Sequence, residues 1–300
     1  MIPAPFEYHR ASSLEEASRL LLELGEDARV LAGGQSLIPL MKLRLARPAA
    51  LVDLNRIPGL GGIEERDGRI CIGALTRHSA VEDSPSAAAV PILHDCASGI
   101  ADVQVRNMGT IGGSVAEADP HGDWAPVLLA LGAEVVTSGP QGARSIPISQ
   151  FITDAFTTVL APAELVREIR LPGQASRCGG AYTAFKRCAP VYPTASAAVW
   201  VRMMDEDFCV EARVALGCVG LTPVVAAEAG AALGGQAITP HAIDRAAEAA
   251  MAAADPQPDL RGSAEYKRLL VGTLTRRALL AALARARGER VDMSHEYAAL

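Results

Sequence analysis

Apolar positions recur at helical spacing in "SSLEEASRLLLELG", where Leu14, Ala17, Leu21 and Leu24 share one face. Ser13 with Glu16 three residues on forms a capping box, and Gly25 closes the segment, so a helix is predicted here. "RVLAG" then reads as a short buried strand, and "SLIPLMKLRLA" as a second helix with Pro39 in or near its first turn. "ALVDLN" (50–55) is the next short strand, so a small parallel α/β unit is predicted over about residues 1–55. Beyond it, "RICIGAL" (69–75) alternates as a strand does, and "DWAPVLLALG" (123–132) reads as a helix with Asp123 and Pro126 in its first turn. "AEVVT" (133–137) and "ELVREIRLP" (164–172) are further strands.

The pattern changes near Pro172-Gly173. "GAYTAFKR", "TASAAVWVRMM" and "FCVEARVALGCVG" read as consecutive strands of an antiparallel meander. Helices follow in "VVAAEAGAAL", "AIDRAAEAAMAAA" and "SAEYKRLLVGTLTRRALLAALARA". The expected organisation is a small α/β lobe (about 1–55), a larger α+β lobe (about 56–175), a C-terminal domain of strands and helices (176–290) and a tail (291–300).

Composition narrows the setting. Half of the 300 residues are hydrophobic but only 4% are aromatic, so the core must come mainly from Ala, Leu, Val and Ile. The net charge is −6 and no basic block occurs, which argues against a nucleic-acid or anionic-membrane surface. "MIPAPFEYHRASS" does not read as a signal peptide, and no run of about eighteen apolar residues exists, so a cytoplasmic protein without membrane insertion is expected. The six cysteines are scattered without a C-x-x-C pair and are expected to be reduced, mostly buried thiols.

Candidate chemistry lies in two glycine stretches, "AGGQSLIPL" and "TIGGSVA". Glycine lets a backbone approach a ligand closely, and successive N–H groups in such a turn can form an anion-binding nest, strengthened where a helix begins. Ser36 stands at one predicted helix start, and Thr110 and Ser114 interleave hydroxyls with amides in the other stretch. A Gly-Gly pair is also an ordinary turn, and others occur at 61–62, 179–180 and 234–235. Neither a G-x-x-x-x-G-K-[ST] loop nor a G-x-G-x-x-G between strand and helix is present. The residue pattern alone reaches an anion site and no further.

A resemblance carries the reading on. "LAGGQSLIPLMKLRLARPAALVDLNRI" and "ADVQVRNMGTIGGSVAEADPHGDWAPVLLALGAEV" resemble the FAD-binding medium subunit of molybdenum hydroxylases, the xanthine dehydrogenase and aerobic carbon monoxide dehydrogenase family. The likeness spans nearly the whole chain, from the "P-x-x-F-x-Y-H-R" opening (Pro3 to Arg10) through "YPTASAAV" (192–199) to "RGSAEYKRLLVGTLTRRAL" (261–279), and leans to the carbon monoxide dehydrogenase-like branch. It implies an α+β fold, a two-lobed FAD-binding domain of the vanillyl-alcohol-oxidase-like type, followed by a C-terminal domain with a three-stranded antiparallel sheet and helices.

By the same resemblance, Ala32, Gly33, Gly34, Gln35 and Ser36 would hold the FAD pyrophosphate. Thr110, Ile111, Gly112, Gly113 and Ser114 would hold its other side and border the flavin. Asp123 would accept a hydrogen bond from a cofactor hydroxyl, and Tyr192 would lie near the isoalloxazine. Read as residues alone, Asp123 is equally a helix N-cap and Tyr192 a packing side chain beside Pro193. His121 between Asp119 and Asp123 lacks paired-His spacing, and no metal is expected on this chain. The sequence departs from the family pattern with Ser114 for Asn, Ala184 for a basic residue and Val191 for an acidic one.

The implied assembly is a dimer of heterotrimers, with a large molybdenum-cofactor subunit and a small iron–sulfur subunit beside this chain. This chain would pass electrons through FAD to NAD, a quinone or another acceptor, with no side chain acting as a catalytic residue. One alternative is a stand-alone FAD-dependent oxidoreductase with its own substrate pocket. Against it, Gln35 stands where covalent-flavin relatives carry a linking His or Cys, and neither residue occurs between 28 and 41. The other alternative is a scaffold that has lost the cofactor, which the intact glycines oppose.

Overall fold

A computed structural model describes residues 2–173, 175–293 and 296–297. The first lobe contains β1 (Glu7–Arg10), α1 (Leu14–Leu24), β2 (Ala28–Leu31), α2 (Leu37–Lys42) and β3 (Ala50–Asp53). Its strands run parallel in the order β1-β3-β2, and the central β3 is buried at every position. The Ser13 hydroxyl accepts from the Glu16 amide at 3.1 Å, as the capping box predicts. The reciprocal arm is displaced by one residue: the Glu16 carboxylate accepts from the amide and hydroxyl of Ser12 at 2.8 and 2.5 Å. Helix α2 is shorter than its apolar pattern predicts. Arg44 enters the left-handed region at φ 59, and the Leu45 amide folds back to the Leu40 carbonyl. Strand β1 has no apolar alternation to announce it and is held by its pairing with β3.

The second lobe is built on a five-stranded sheet. In chain order it comprises β4 (Ile63–Arg66), β5 (Arg69–Gly73), α3 (His78–Glu82), α4 (Pro85–Ala88), α5 (Pro91–Gly99), α6 (Val103–Met108), α7 (Ile111–Glu117) and α8 (Trp124–Leu131). Then come β6 (Glu134–Gly139), β7 (Gly142–Pro147), α9 (Ile148–Phe151), β8 (Ile152–Asp154), β9 (Thr157–Thr158) and β10 (Leu165–Leu171). The sheet runs antiparallel in the order β4-β5-β10-β6-β7. The second glycine stretch is therefore not an open loop: Gly112 and Gly113 lie in the first turn of α7.

The C-terminal domain opens with the predicted meander, β11 (Cys178–Lys186), β12 (Ala195–Met203) and β13 (Phe208–Gly217). Short strands β14 (Val224–Val225), β15 (Gln236–Ala237) and β16 (Glu296–Tyr297) pair with it, and α10 (Ala227–Ala231), α11 (Pro240–Ala253) and α12 (Ala264–Ala286) complete the domain. Of the expected tail, 291–293 and the β16 backbone are described; the rest lies outside the described residues.

This sheet is covered on both faces, which is why β12 is buried everywhere except at Arg202. Ala181, Val199 and Leu216 face a core shared with α11 and α12. On the other face Tyr182, Ala184 and Trp200 join the core of the second lobe with Trp124, Leu128 and Ile92. Charged groups cross the same boundary. Arg285 of α12 pairs with Asp95 of α5 at 2.5 and 2.8 Å, almost fully buried, and Asp95 also accepts the Tyr182 amide at 3.1 Å.

Candidate functional site

The first glycine stretch leaves β2 at Leu31 and turns at Ala32-Gly33 before α2 begins. Gly34 adopts φ +72, where a side chain is strained, and a Cβ there would also lie 3.0 Å from Ile38. The Gln35 side chain folds back onto the Gly33 carbonyl at 3.2 Å, and Ser36 makes no cap hydrogen bond. The amides of Gly33, Gly34, Gln35 and Ser36 donate to no acceptor among the described residues. These adjacent donors lack protein partners, the condition under which a backbone turn binds an anion.

The second stretch is different. Its Ile111 amide donates to the Thr76 carbonyl at 3.1 Å and its Gly112 amide to the Ala74 carbonyl at 2.9 Å. Gly113 donates to the Thr110 hydroxyl at 3.2 Å, and Ser114 to the Thr110 carbonyl at 3.0 Å. The expectation of exposed amides thus holds for the first stretch only. What the second leaves without a partner among the described residues is the Thr110 amide and the Ser114 hydroxyl. Gly112 is glycine because α7 lies directly on the chain after β5: a Cβ would come within 2.5 Å of the Ala74 Cβ and 2.7 Å of its carbonyl oxygen.

The two stretches meet. A Cβ on Gly33 would strike the Met108 carbonyl and lie 2.8 Å from the Gly109 Cα, and one on Gly113 would lie 3.8 Å from the Ala32 Cβ. Two side chains hold this seam. Arg77, in the extended segment facing Thr110, donates to the Met108 carbonyl and, at 2.6 Å, to Asn55 Oδ1. Asn55 in turn donates to the Ala32 carbonyl at 2.9 Å and is fixed by Asp53, which receives its amide at 2.8 Å. Behind them His78 is buried, its amide donating to the Gly109 carbonyl and its Nδ1 accepting from Trp124 Nε1 at 3.1 Å. Burial, reinforced by the nearby Arg77 and Arg106 and opposed by Asp123, lowers its imidazole to about 4, so it is neutral.

From the seam the surface continues over α7 to residues 117–123. A Cβ on Gly122 would lie 3.9 Å from the Ser114 hydroxyl oxygen, which ties that turn to the glycine helix. Asp123 is buried, makes no helix-cap hydrogen bond, and accepts on Oδ1 from the Tyr182 hydroxyl at 2.7 Å. Lys186 Nζ, fully buried, lies 3.2 Å from the same oxygen and donates to the Gly99 carbonyl at 2.6 Å. Asp123 Oδ2 has no partner among the described residues. Tyr182, Ala184 and Lys186 alternate along β11, so the cation absent at 184 is supplied one pleat farther on the same face.

Tyr192 is 43% exposed, with its ring 6.0 Å from that of His121. Partial burial and the nearby Asp119 carboxylate raise its phenol above the ordinary range. Asp119 takes the His121 amide at 2.9 Å, and its interactions with His121 outweigh its burial to hold the carboxyl below its ordinary range. His121 reaches toward Asp259 at 3.9 Å, so this corner is where the second lobe meets the C-terminal domain.

Sequence reasoning identified the glycines but missed Arg77, Asn55, His78 and Lys186. Each acts on partners 22 to 87 residues away, and no local pattern marks them.

Comparison with known proteins follows the same division. Residues 4–174 match the FAD binding domain in molybdopterin dehydrogenase, and residues 180–282 the CO dehydrogenase flavoprotein C-terminal domain. The chain is 44% identical to the carbon monoxide dehydrogenase medium chain of Afipia carboxidovorans, over 96% of this chain and 100% of that one. It is 40% identical to the 6-hydroxypseudooxynicotine dehydrogenase complex subunit alpha of Paenarthrobacter nicotinovorans, over 98% and 100%. Its fold superposes with a TM-score of 0.92 on a chain of carbon monoxide dehydrogenase from Hydrogenophaga pseudoflava, at 44% identity, covering 95% of this chain and 99% of that one.

Proposed function

The chain belongs to the FAD-binding medium subunits of the molybdenum hydroxylases, and from that membership we propose that it is the flavin-bearing electron outlet of a larger complex. In this reading the chain sits beside a large molybdenum-cofactor subunit and a small iron–sulfur subunit, as a dimer of heterotrimers. It takes electrons from the iron–sulfur clusters and passes them to an external acceptor. Bound FAD supplies the redox chemistry, being able to take electrons singly or in pairs.

The observation that carries the proposal is the row of amides at Gly33–Ser36 that have no partner among the described residues, set against the second glycine stretch. These donors suit a diphosphate. The Thr110 amide and Ser114 hydroxyl border the same seam and suit its second side. Asp123 Oδ2 suits a ribityl or ribose hydroxyl, while its other oxygen is fixed by Tyr182 and Lys186. Tyr192, beside His121, suits the edge of the ring system. The residues therefore fit FAD, and their part is to bind, orient and shield it. The relatives of 44% and 40% identity are named for carbon monoxide and for 6-hydroxypseudooxynicotine, so similarity in this subunit does not select a substrate.

The test is reconstitution of the full chain and isolation of its native complex. The chain should hold one FAD, and Gly33→Trp, which drives an indole into the Met108 carbonyl, should abolish flavin retention while the far-UV dichroism stays native. The native complex should show iron–sulfur absorption and molybdenum. A flavoprotein that purifies alone and turns over substrate without partners would overturn the subunit role, and full flavin content in Gly33→Trp would overturn the site.

A further inference from the structure

Arg77 is half-buried at the seam between the glycine stretches. Its contacts are neutral oxygens: the Met108 carbonyl and Asn55 Oδ1. No carboxylate comes within ion-pair distance of it among the described residues. Asp53, whose charge reaches it, already receives the Tyr8 hydroxyl and both nitrogens of Asn55. Carbonyls satisfy the hydrogen bonds of a guanidinium but leave its charge unmatched, and desolvating such a charge is costly. Burial indeed lowers the affinity of Arg77 for its proton. A fold that keeps an unmatched cation beside a row of unpartnered amides holds both halves of an anion site.

We infer that Arg77 is a positioning and charge-supplying residue for the cofactor diphosphate: through Asn55 and the Met108 carbonyl it sets the two glycine stretches in register, and its charge is matched by the bound anion. The inference rests on the FAD reading above. Asn55 performs only the first of these tasks, because it carries no charge. The two tasks therefore separate experimentally.

The experiment uses the full chain stripped of flavin, titrated with FAD, FMN and riboflavin by flavin fluorescence at low and high salt. The ring and ribityl chain are common to the three ligands; FMN adds one phosphate, and FAD adds a second phosphate together with adenosine. Arg77→Gln should weaken FAD binding on the order of ten- to a hundredfold, the range for hydrogen bonds to charged groups. It should weaken riboflavin only as far as Asn55→Ser does, with FMN between, because the loosened seam affects every ligand and the lost charge acts on phosphate alone. Arg77→Lys should restore most of the selectivity for FAD over riboflavin. Asn55→Ser should weaken all three ligands alike, since it loosens the seam without removing charge. Wild-type affinity for FAD should fall with salt, and that of riboflavin should not.

Equal losses for FAD and riboflavin in Arg77→Gln would overturn the charge assignment, leaving Arg77 a spacer between loops. No loss for either would overturn both tasks. Should Arg77→Gln fail to fold, Arg77→Lys decides: selectivity for FAD near the wild-type value supports the assignment, and selectivity lost despite the retained charge refutes it. Wild-type chain that binds riboflavin as tightly as FAD at every salt concentration would refute Arg77 alone. Wild-type chain that binds no flavin would refute the FAD reading itself and this inference with it.

Discussion

At Gly33-Gly34 the backbone leaves its amides without partners among the described residues, whereas at Gly112-Gly113 every amide from Ile111 to Ser114 is bonded within the protein. The first pair is needed for a left-handed turn and for contact with the Met108 carbonyl; the second lets a helix lie on Ala74. Identical letters thus meet different physical demands. One stretch presents donors, and the other forms the wall against which they are held. The difference lies in what surrounds each pair: an edge strand at 28–31 with no further strand paired to it among the described residues, and a packed core under 111–117.

The sharpest way to break this comparison is to substitute in the wall. Gly112→Val places a branched side chain 2.5 Å from the Ala74 Cβ and against its backbone, and overpacking without room to relax should cost about 3 kcal/mol or more. Denaturant unfolding of the flavin-free chain measures it, and unchanged stability would show that α7 does not rest on Ala74.

Acid should act on the wall next. Folded His78 stays neutral down to about 4, while in the unfolded chain the imidazole takes a proton below about 6.5. The unfolded state binds more protons in that window, so stability falls as pH drops from about 6.5 to about 4, by about 3 kcal/mol from this group. His78→Gln, which keeps an acceptor for Trp124, should flatten that part of the stability profile; an unaltered slope would remove His78 from the account.

Smaller effects separate the two helix starts. Thr110 caps α7 through the Gly113 amide, so Thr110→Val should cost about 1 kcal/mol. Ser36 caps nothing, so Ser36→Ala should cost less than about 0.5 kcal/mol in the same assay. Equal costs would erase the distinction between wall and donor stretch.

Much of the framework was legible in the residues because its signals are local. Ser13, Glu16 and Gly25 bound α1, and alternating or continuous apolar runs mark β3, β5, β10 and the β11–β13 meander. Strand β1 was not legible, since "EYHR" has polar side chains on both sides and gains its place by pairing with β3. Helix α7 was obscured by its glycines, which read as a turn until Thr110 and Ala74 are seen to organise it. Within the site, the glycines could be found from sequence but their roles could not. Whether an amide is open depends on the acceptors at Thr76 and Ala74 for one stretch, and among the described residues no such acceptor meets the other. Lys186 is the plainest case: in sequence it is half of a surface-like Lys-Arg pair, and in the fold it is fully buried against Asp123.

The most direct measurement is a crystal structure of the full chain with FAD bound. The account predicts that the amides of Gly33, Gly34, Gln35 and Ser36 lie at hydrogen-bond distance, about 3 Å, from diphosphate oxygens. It also predicts that those of Ile111 to Ser114 keep their bonds to Thr76, Ala74 and Thr110. A diphosphate held elsewhere, with the Gly33–Ser36 amides turned to water, or one that unwinds the first turn of α7 to reach its amides, would contradict it.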